Sequence, residues 1–249
     1  FFFFFRRQAS IHKITKYIKK SYAGPLFMKE IFSLDMVLNN KKKPITCIIG
    51  GSKVSTKIGV ITSLIKKVDN LIIVGAMANN FIKFKGIKVG KSLIEPGSEI
   101  VIKEIFKNAD RHNCKIISPI DFAVSDSTDG NARLKELENV EKNEIILDIG
   151  PETIRNISKI IDKSKTVLWN GPAGYFENKN FSKGTNSIAQ KISRNTNTTS
   201  LISIVGGGDT ISAIKNFKLD LNFTHLSTAG GAFLEYIEGK NLPGIEVLK

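Results

Sequence analysis

Five consecutive residues, Gly206-Gly207-Gly208-Asp209-Thr210, are of types that could seat a phosphate. They follow an apolar run, Leu201 to Val205, and lead into helix-like sequence. Glycines let backbone N–H groups approach an anion with no Cβ in the way, and a helix N-terminus adds unpaired donors and the positive end of its dipole. That dipole contributes roughly 0.3 to 1 kcal/mol when exposed and ~2 kcal/mol when partly buried, so it orients a phosphate more than it binds one. Asp209 would repel a bare phosphate. A divalent cation between them removes the conflict, and oxygen ligands suit Mg²⁺. Taken alone, the same residues describe an Asp-capped strand-to-helix turn equally well.

The elements that must position these residues are visible as β-type runs alternating with helix-length segments from Pro44 onward. The runs are Ile45 to Ile49, Leu71 to Val74, Ile116 to Ser118, Ile145 to Leu147, Val167 to Trp169, Leu201 to Val205 and Thr224 to Leu226. This alternation predicts an α/β fold, a Rossmann-like, mostly parallel sheet with helices on both faces. Continuously apolar strands imply burial on both sides, and ligands of such sheets sit beyond the carboxyl ends of the strands. Six strand ends carry glycine: Gly50-Gly51-Ser52-Lys53, Gly75-Ala76-Met77-Ala78-Asn79, Asp148-Ile149-Gly150-Pro151, Asn170-Gly171-Pro172, Gly206 to Thr210 and Ser227 to Gly231. One alone is a bland connection. Several on one edge predict a groove for an extended anionic ligand such as a nucleotide.

Composition bounds the alternatives. The 249 residues are 41% hydrophobic and 24% charged, enough for one large domain, or one plus a fragment. No apolar run reaches the ~18 residues a membrane helix needs, and Cys47 and Cys114 form no CxxC, so a reducing cytoplasm is expected. The net charge of +14 admits nucleic acid or anionic metabolites as partners, or a lysine-rich surface without a partner. Because Lys41-Lys42-Lys43 is the longest basic run and aromatics do not interleave with lysines, no nucleic-acid partner is expected. Gly86-Ile87-Lys88-Val89-Gly90-Lys91-Ser92 imitates a P-loop but has three residues between its glycines where four are required, and it follows no strand. No GxGxxG follows any of the runs. Phe1 to Phe5 before Arg6-Arg7 has the wrong order and length for an export signal and reads as an aberrant start.

Gly50-Gly51-Ser52-Lys53-Val54-Ser55-Thr56-Lys57-Ile58, Asp148-Ile149-Gly150-Pro151, Trp169-Asn170-Gly171-Pro172, Gly206 to Thr210 and Leu242-Pro243-Gly244 together resemble phosphoglycerate kinase in residues, order and spacing. Ser21-Tyr22-Ala23-Gly24-Pro25-Leu26 is similar to that family's interdomain region, so residues 1–39 are expected to be a remnant of an N-terminal lobe plus an interdomain helix hinged at Gly24-Pro25, and residues 40–249 a nucleotide-binding α/β domain. The resemblance implies the C-terminal, Mg-ADP- or Mg-ATP-binding lobe of an enzyme that moves a phosphoryl group reversibly between 1,3-bisphosphoglycerate and ADP, giving 3-phosphoglycerate and ATP in glycolysis. It also implies a monomer.

By the same resemblance Lys53 and Lys57 meet the nucleotide phosphates and the phosphoryl in transit. Lysines four apart share a helix face, where repulsion is mildly unfavourable unless an anion lies between them. Gly206, Gly207, Gly208 and Thr210 would hold phosphates at the helix start, with Gly207 and Gly208 at the transfer itself, and Asp209 would serve Mg²⁺. Glu177 would accept the ribose hydroxyls, Asn170 and Pro172 would line the cleft, and Gly51, Gly75 and Gly150 would lie near the adenosine. Phosphoryl transfer depends on alignment and charge neutralisation, so no roles are expected for His12, His112 or His225. The departures are specific. Arg6 matches a substrate-binding arginine of the family's HRxHAS-like segment, but Phe5 and Gln8 stand where histidines belong, and Ala76 and Ala229 replace glycines of triple-glycine turns. The N-terminal lobe is expected to be missing, leaving turnover by this chain weak or absent, with a non-catalytic Mg-nucleotide-binding lobe as the alternative.

Overall fold

The computed structural model describes residues 7–18, 20–38, 42–217 and 220–248; Arg6 and Phe1 to Phe5, singled out above, lie outside them. The strands are β1 (Ile45–Ile49), β2 (Asn70–Ile73), β3 (Lys115–Ile117), β4 (Asp121–Ser125), β5 (Arg133–Glu136), β6 (Ile145–Ile149), β7 (Thr166–Asn170), β8 (Ile202–Gly206) and β9 (His225–Leu226). The α-helices are α1 (Pro25–Leu38), α2 (Ile58–Ile65), α3 (Ala78–Phe84), α4 (Glu99–Arg111), α5 (Pro151–Lys163), α6 (Lys183–Thr198), α7 (Gly208–Asn216), α8 (Gly231–Glu238) and α9 (Pro243–Glu246). Among the described residues no helix is long and apolar enough to cross a membrane.

Six strands form one parallel sheet in the order β3-β2-β1-β7-β8-β9. Alternate residues of its buried strands feed two separate cores. Cys47, Ile49, Leu71 and Ile73 pack with Ile61 and Leu64 of α2, Phe81 of α3, Ile105 of α4 and Phe233 of α8. Ile48, Ile72, Trp169 and Val205 pack on the opposite side with Ile157 of α5, Ile192 of α6 and Ile214 of α7. Each fully buried aliphatic side chain contributes about 1.5–3 kcal/mol, so the period-2 pattern commits the sheet to helices on both faces. Cys47 and Cys114 belong to the first core, where burial pushes both thiols up, Cys114 to about 11.

The chain moves outward from β1 to β2 and β3, then returns to place β7 on the other side of β1 and continues to β8 and β9. The order therefore reverses between β1 and β7, which is where ligands of such sheets bind.

One strand assignment is corrected. β6 is not in the parallel sheet; it joins β4 and β5 in a separate antiparallel sheet of order β5-β4-β6. Its apolar residues satisfy either sheet, and its partners are not among the runs found from sequence: β5 is mostly exposed, and β4 begins with a buried Asp before the short apolar run Phe122 to Val124. Asp121 of β4 caps α5, its carboxylate accepting the backbone N–H groups of Glu152 and Thr153 at 2.8 and 2.7 Å. The P-loop mimic is likewise structural. The backbone N–H of Lys91 donates to the Glu144 carbonyl and Ser92 Oγ accepts the Ile146 N–H, anchoring β6.

α1 is tied to the sheet through one buried carboxylate. Glu30 accepts from Ser227 Oγ at 2.9 Å and from the Thr228 N–H and hydroxyl at 2.6 and 2.9 Å, and pairs with His225 Nε2 at 3.0 Å. Burial pushes the carboxyl up, but these partners outweigh it and hold it below its ordinary value. His225, buried at 5% exposure, is thus a packing partner. Replacing Glu30 by Ala leaves the buried His225 and Ser227 without this partner and is expected to lower urea-unfolding stability by about 3 kcal/mol; a loss under about 1 kcal/mol would show that these bonds do not anchor α1.

Candidate functional site

The carboxyl ends of β1 and β7 approach so closely that side chains have no room. A Cβ on Gly50 would lie 2.3 Å from the Pro172 carbonyl oxygen, and one on Gly171, where φ is +101°, would lie 2.4 Å from the Gly50 oxygen. Lys57 closes this junction. Its Nζ donates to the Gly50 carbonyl at 2.5 Å and to Asn170 Oδ1 at 2.9 Å. Burial pushes the Lys57 ammonium down to about 8, with Asp209 among the groups that pull it back up. Asn170 Nδ2 is buried and has no hydrogen-bond partner.

α7 points its N-terminus at the same junction. Gly207, at φ +100°, turns the chain out of β8, and a Cβ there would lie 2.8 Å from Asn170 Nδ2. Thr210 Oγ1 accepts the Gly171 N–H at 2.7 Å, locking α7 to the β7 turn. Asp209 is exposed on the first turn. The resulting cleft, about 260 Å³, is lined by Gly51, Lys57, Asn170, Pro172 and Gly207 to Thr210, together with Gly230 and Gly231 at the start of α8.

A second cavity of about 360 Å³ adjoins it and shares Gly51, Ser52, Pro172 and Asp209. Its wall is mainly apolar: Ala76, Leu93, Phe122, Ile146, Leu147 and Tyr175, with Gly75 on one side and Glu177 at the edge. The Tyr175 N–H donates to the Leu147 carbonyl at 2.7 Å, fastening the segment after β7 to β6. A polar cleft carrying an ammonium and a helix N-terminus, opening into an apolar slot, has the shape and polarity for a ligand with phosphates at one end and a flat organic group at the other.

Most residues singled out from sequence meet here. Gly51, Pro172 and Asp209 border both spaces, Lys57, Asn170, Gly207, Gly208 and Thr210 the polar one, and Gly75 and Glu177 the apolar one. Others do not. Lys53 is exposed and borders neither space: Ser55 to Lys57 form a 3₁₀ turn and α2 begins at Ile58, so the two lysines do not share one α-helical face. Gly150 lies against Asp121 at the start of α5, and Gly206 is packed beneath Phe233. Ala76 places its methyl at the apolar slot, whereas Ala229 is core. Leu93, Phe122, Ile146 and Leu147 were not expected, since apolar residues carry no chemical signature until the fold brings them together.

The fold and these joined spaces define a Rossmann-type α/β protein with a polar cleft and an apolar slot at its topological switch point. A family model described as phosphoglycerate kinase matches residues 1–240, and the chain belongs to that family. It is 42% identical over 246 residues to the phosphoglycerate kinase of Wolbachia sp. subsp. Brugia malayi and 45% identical over 246 residues to that of Orientia tsutsugamushi, covering 98% of this chain and 61% of each relative. The structure of phosphoglycerate kinase from Coxiella burnetii superposes with a TM-score of 0.91 at 41% identity, covering 98% of this chain and 63% of that one. The Pyrococcus horikoshii phosphoglycerate kinase superposes at 0.81 and 27% identity. The chain thus spans about three fifths of the length of its curated relatives.

The contact between β1 and β7 yields a test. Gly171→Ala combines a left-handed φ with backbone overlap, and is expected to cost at least ~2 kcal/mol in chemical denaturation. A variant as stable as the parent would mean the two turns do not touch.

Proposed function

We propose that this chain binds Mg-ADP or Mg-ATP across the two joined spaces and supplies the nucleotide half of phosphoglycerate kinase. The continuity of the polar cleft with the apolar slot carries the proposal, because it fits polyphosphate to Lys57 and the α7 N-terminus while the base enters between Gly75 and Leu147 and the ribose meets Glu177. The buried, unpartnered Asn170 Nδ2 supports it as a donor placed beside Gly207. Asp209 is the one carboxylate among the described residues lining the polar cleft, and no cluster of three or more described His, Cys, Asp or Glu residues could hold a metal by itself. A single carboxylate plus phosphate oxygens is the donor set on which Mg²⁺ binds with nucleotides, so Asp209 fits that ion, which would neutralise phosphate charge when bound.

In the reaction, an ADP β-phosphate oxygen bonds to the acyl phosphorus of 1,3-bisphosphoglycerate as the bond from that phosphorus to the acyl oxygen breaks, leaving ATP and the 3-phosphoglycerate carboxylate. Lys57, Gly207 and Gly208 would align and neutralise the group in transit, and Lys53 would join them only by moving inward. Among the described residues no arginine lines either space. An arginine directed at transferring phosphoryl charge is worth about 10³-fold or more, so this chain alone is proposed to bind nucleotide and turn over weakly or not at all.

Calorimetry tests the nucleotide roles. Lys57→Ala and Asp209→Ala are each expected to weaken Mg-ADP binding by about tenfold or more, the range for a charge-assisted contact. Unchanged affinity in both would overturn the assignment. Lys57 also sets a pH dependence. Its depressed value means that the ammonium loses its charge as pH rises through about 8, so Mg-ADP affinity should fall above pH 8 and binding there should take up a proton. A flat profile from pH 7 to 9.5 would contradict a phosphate contact by Lys57.

A further inference from the structure

Asp148 is 2% exposed and lies in β6 directly after Leu147, on the wall of the apolar slot. Its Oδ2 accepts the Gly184 N–H at 2.7 Å at the start of α6, and its Oδ1 accepts the Ile149 N–H at 2.8 Å. The carboxylate is flanked by two glycines: a Cβ on Gly174 would lie 2.4 Å from Oδ1, and one on Gly184 2.3 Å from it. The next residue of α6, Thr185, accepts at Oγ1 the N–H groups of Ala173 and Gly174, at 2.9 and 3.4 Å. Those two residues lead directly into Tyr175, held by the Leu147 carbonyl, and then Glu177.

A chain of contacts therefore runs from one buried carboxylate to the segment that edges the slot. Asp148 fixes where α6 begins, α6 places Thr185, and Thr185 fixes the turn after Pro172. Both N–H groups require an acceptor. An ionised carboxylate supplies two, whereas a protonated one turns an O–H toward a donor and loses a bond.

Resting on the nucleotide reading above, we propose that Asp148 is a positioning residue for the nucleoside: its ionised carboxylate holds the turn carrying Tyr175 and Glu177 in the binding geometry, so nucleoside affinity follows the charge on Asp148. Burial pushes this carboxyl up to about 7, against the pull of the Gly184 and Ile149 N–H groups and of Lys183. Lys183, on α6, is the charged side chain whose field reaches it; β4 presents Ala123 to it, and the turn presents Gly174. Affinity is thus at its full value above neutrality and falls as the group takes up its proton below it.

The test is adenosine binding to this chain from pH 5.5 to 7.5, a ligand with no phosphate to titrate and a range below that of Lys57. The expected result is an affinity about tenfold weaker at the acid end, the change given by a one-unit difference between free and bound protein. Asp148→Asn should bind more weakly at pH 7.5 and show no pH dependence. Thr185→Val should also lose the dependence, because it cuts the link while leaving both Asp148 bonds in place. Ile105→Val, a core substitution in α4 far along the chain from this segment, should keep it, separating positioning from loss of stability. A pH-independent affinity in the parent chain, or an Asp148→Asn variant with the parent's profile, would overturn the proposal alone. Absence of both adenosine and Mg-ADP binding at every pH would overturn it together with the nucleotide reading.

Discussion

The site depends on one constraint: the ends of β1 and β7 must meet in backbone contact, and a cation must be fixed over the place where they meet. Gly50 and Gly171 permit the contact because a methyl on either would overlap a carbonyl. Lys57 then binds Gly50 and Asn170 together, and Thr210 brings the start of α7 onto Gly171. Without the contact, the ammonium, the unpaired Asn170 donor and the helix N-terminus would not face one volume. The desolvation that makes the ammonium costly is also what makes it responsive to an anion, since a charge in a low-dielectric cleft interacts more strongly than one in water.

The second sheet is a different device. Its strands are short and antiparallel, and β6 supplies the apolar wall of the slot. Buried carboxylates join it to the helices: Asp121 caps α5 and Asp148 receives the start of α6. Each replaces orphan helix N–H groups with a specific acceptor, so the position of the antiparallel sheet is set by hydrogen bonds as well as by apolar packing. The apolar slot is therefore fixed by carboxylate-to-backbone hydrogen bonds, while the polar cleft is fixed by close backbone contact together with the Lys57 and Thr210 hydrogen bonds.

Much of this was legible in the sequence because the parallel strands are buried on both faces and read as unbroken apolar runs ending in glycine. Gly50-Gly51, Gly75, Asn170-Gly171-Pro172 and Gly207 through Thr210 lie at carboxyl ends along one edge, as that pattern requires. What failed were inferences needing direction or local geometry. Residues 145–149 have no feature that distinguishes a parallel from an antiparallel partner. Lys53 and Lys57 have helical spacing, but a 3₁₀ turn intervenes. Leu93, Phe122 and Leu147 differ from core residues only in bordering a space, a property of the assembled fold. Asp148 stands among the strand ends because of the glycine that follows; its bond to Gly184, 36 residues away, has no signal in the sequence.

The central claim is that phosphates settle over the β1–β7 junction while the base lies against β6. A crystal structure of this chain soaked with Mg-ADP measures that directly. The account predicts density for the phosphates between Lys57 Nζ, Asn170 Nδ2 and the backbone of Gly207 and Gly208, with the adenine between Gly75 and Leu147. Ordered nucleotide bound elsewhere, with Lys57 still closed on Gly50 and Asn170, would contradict it.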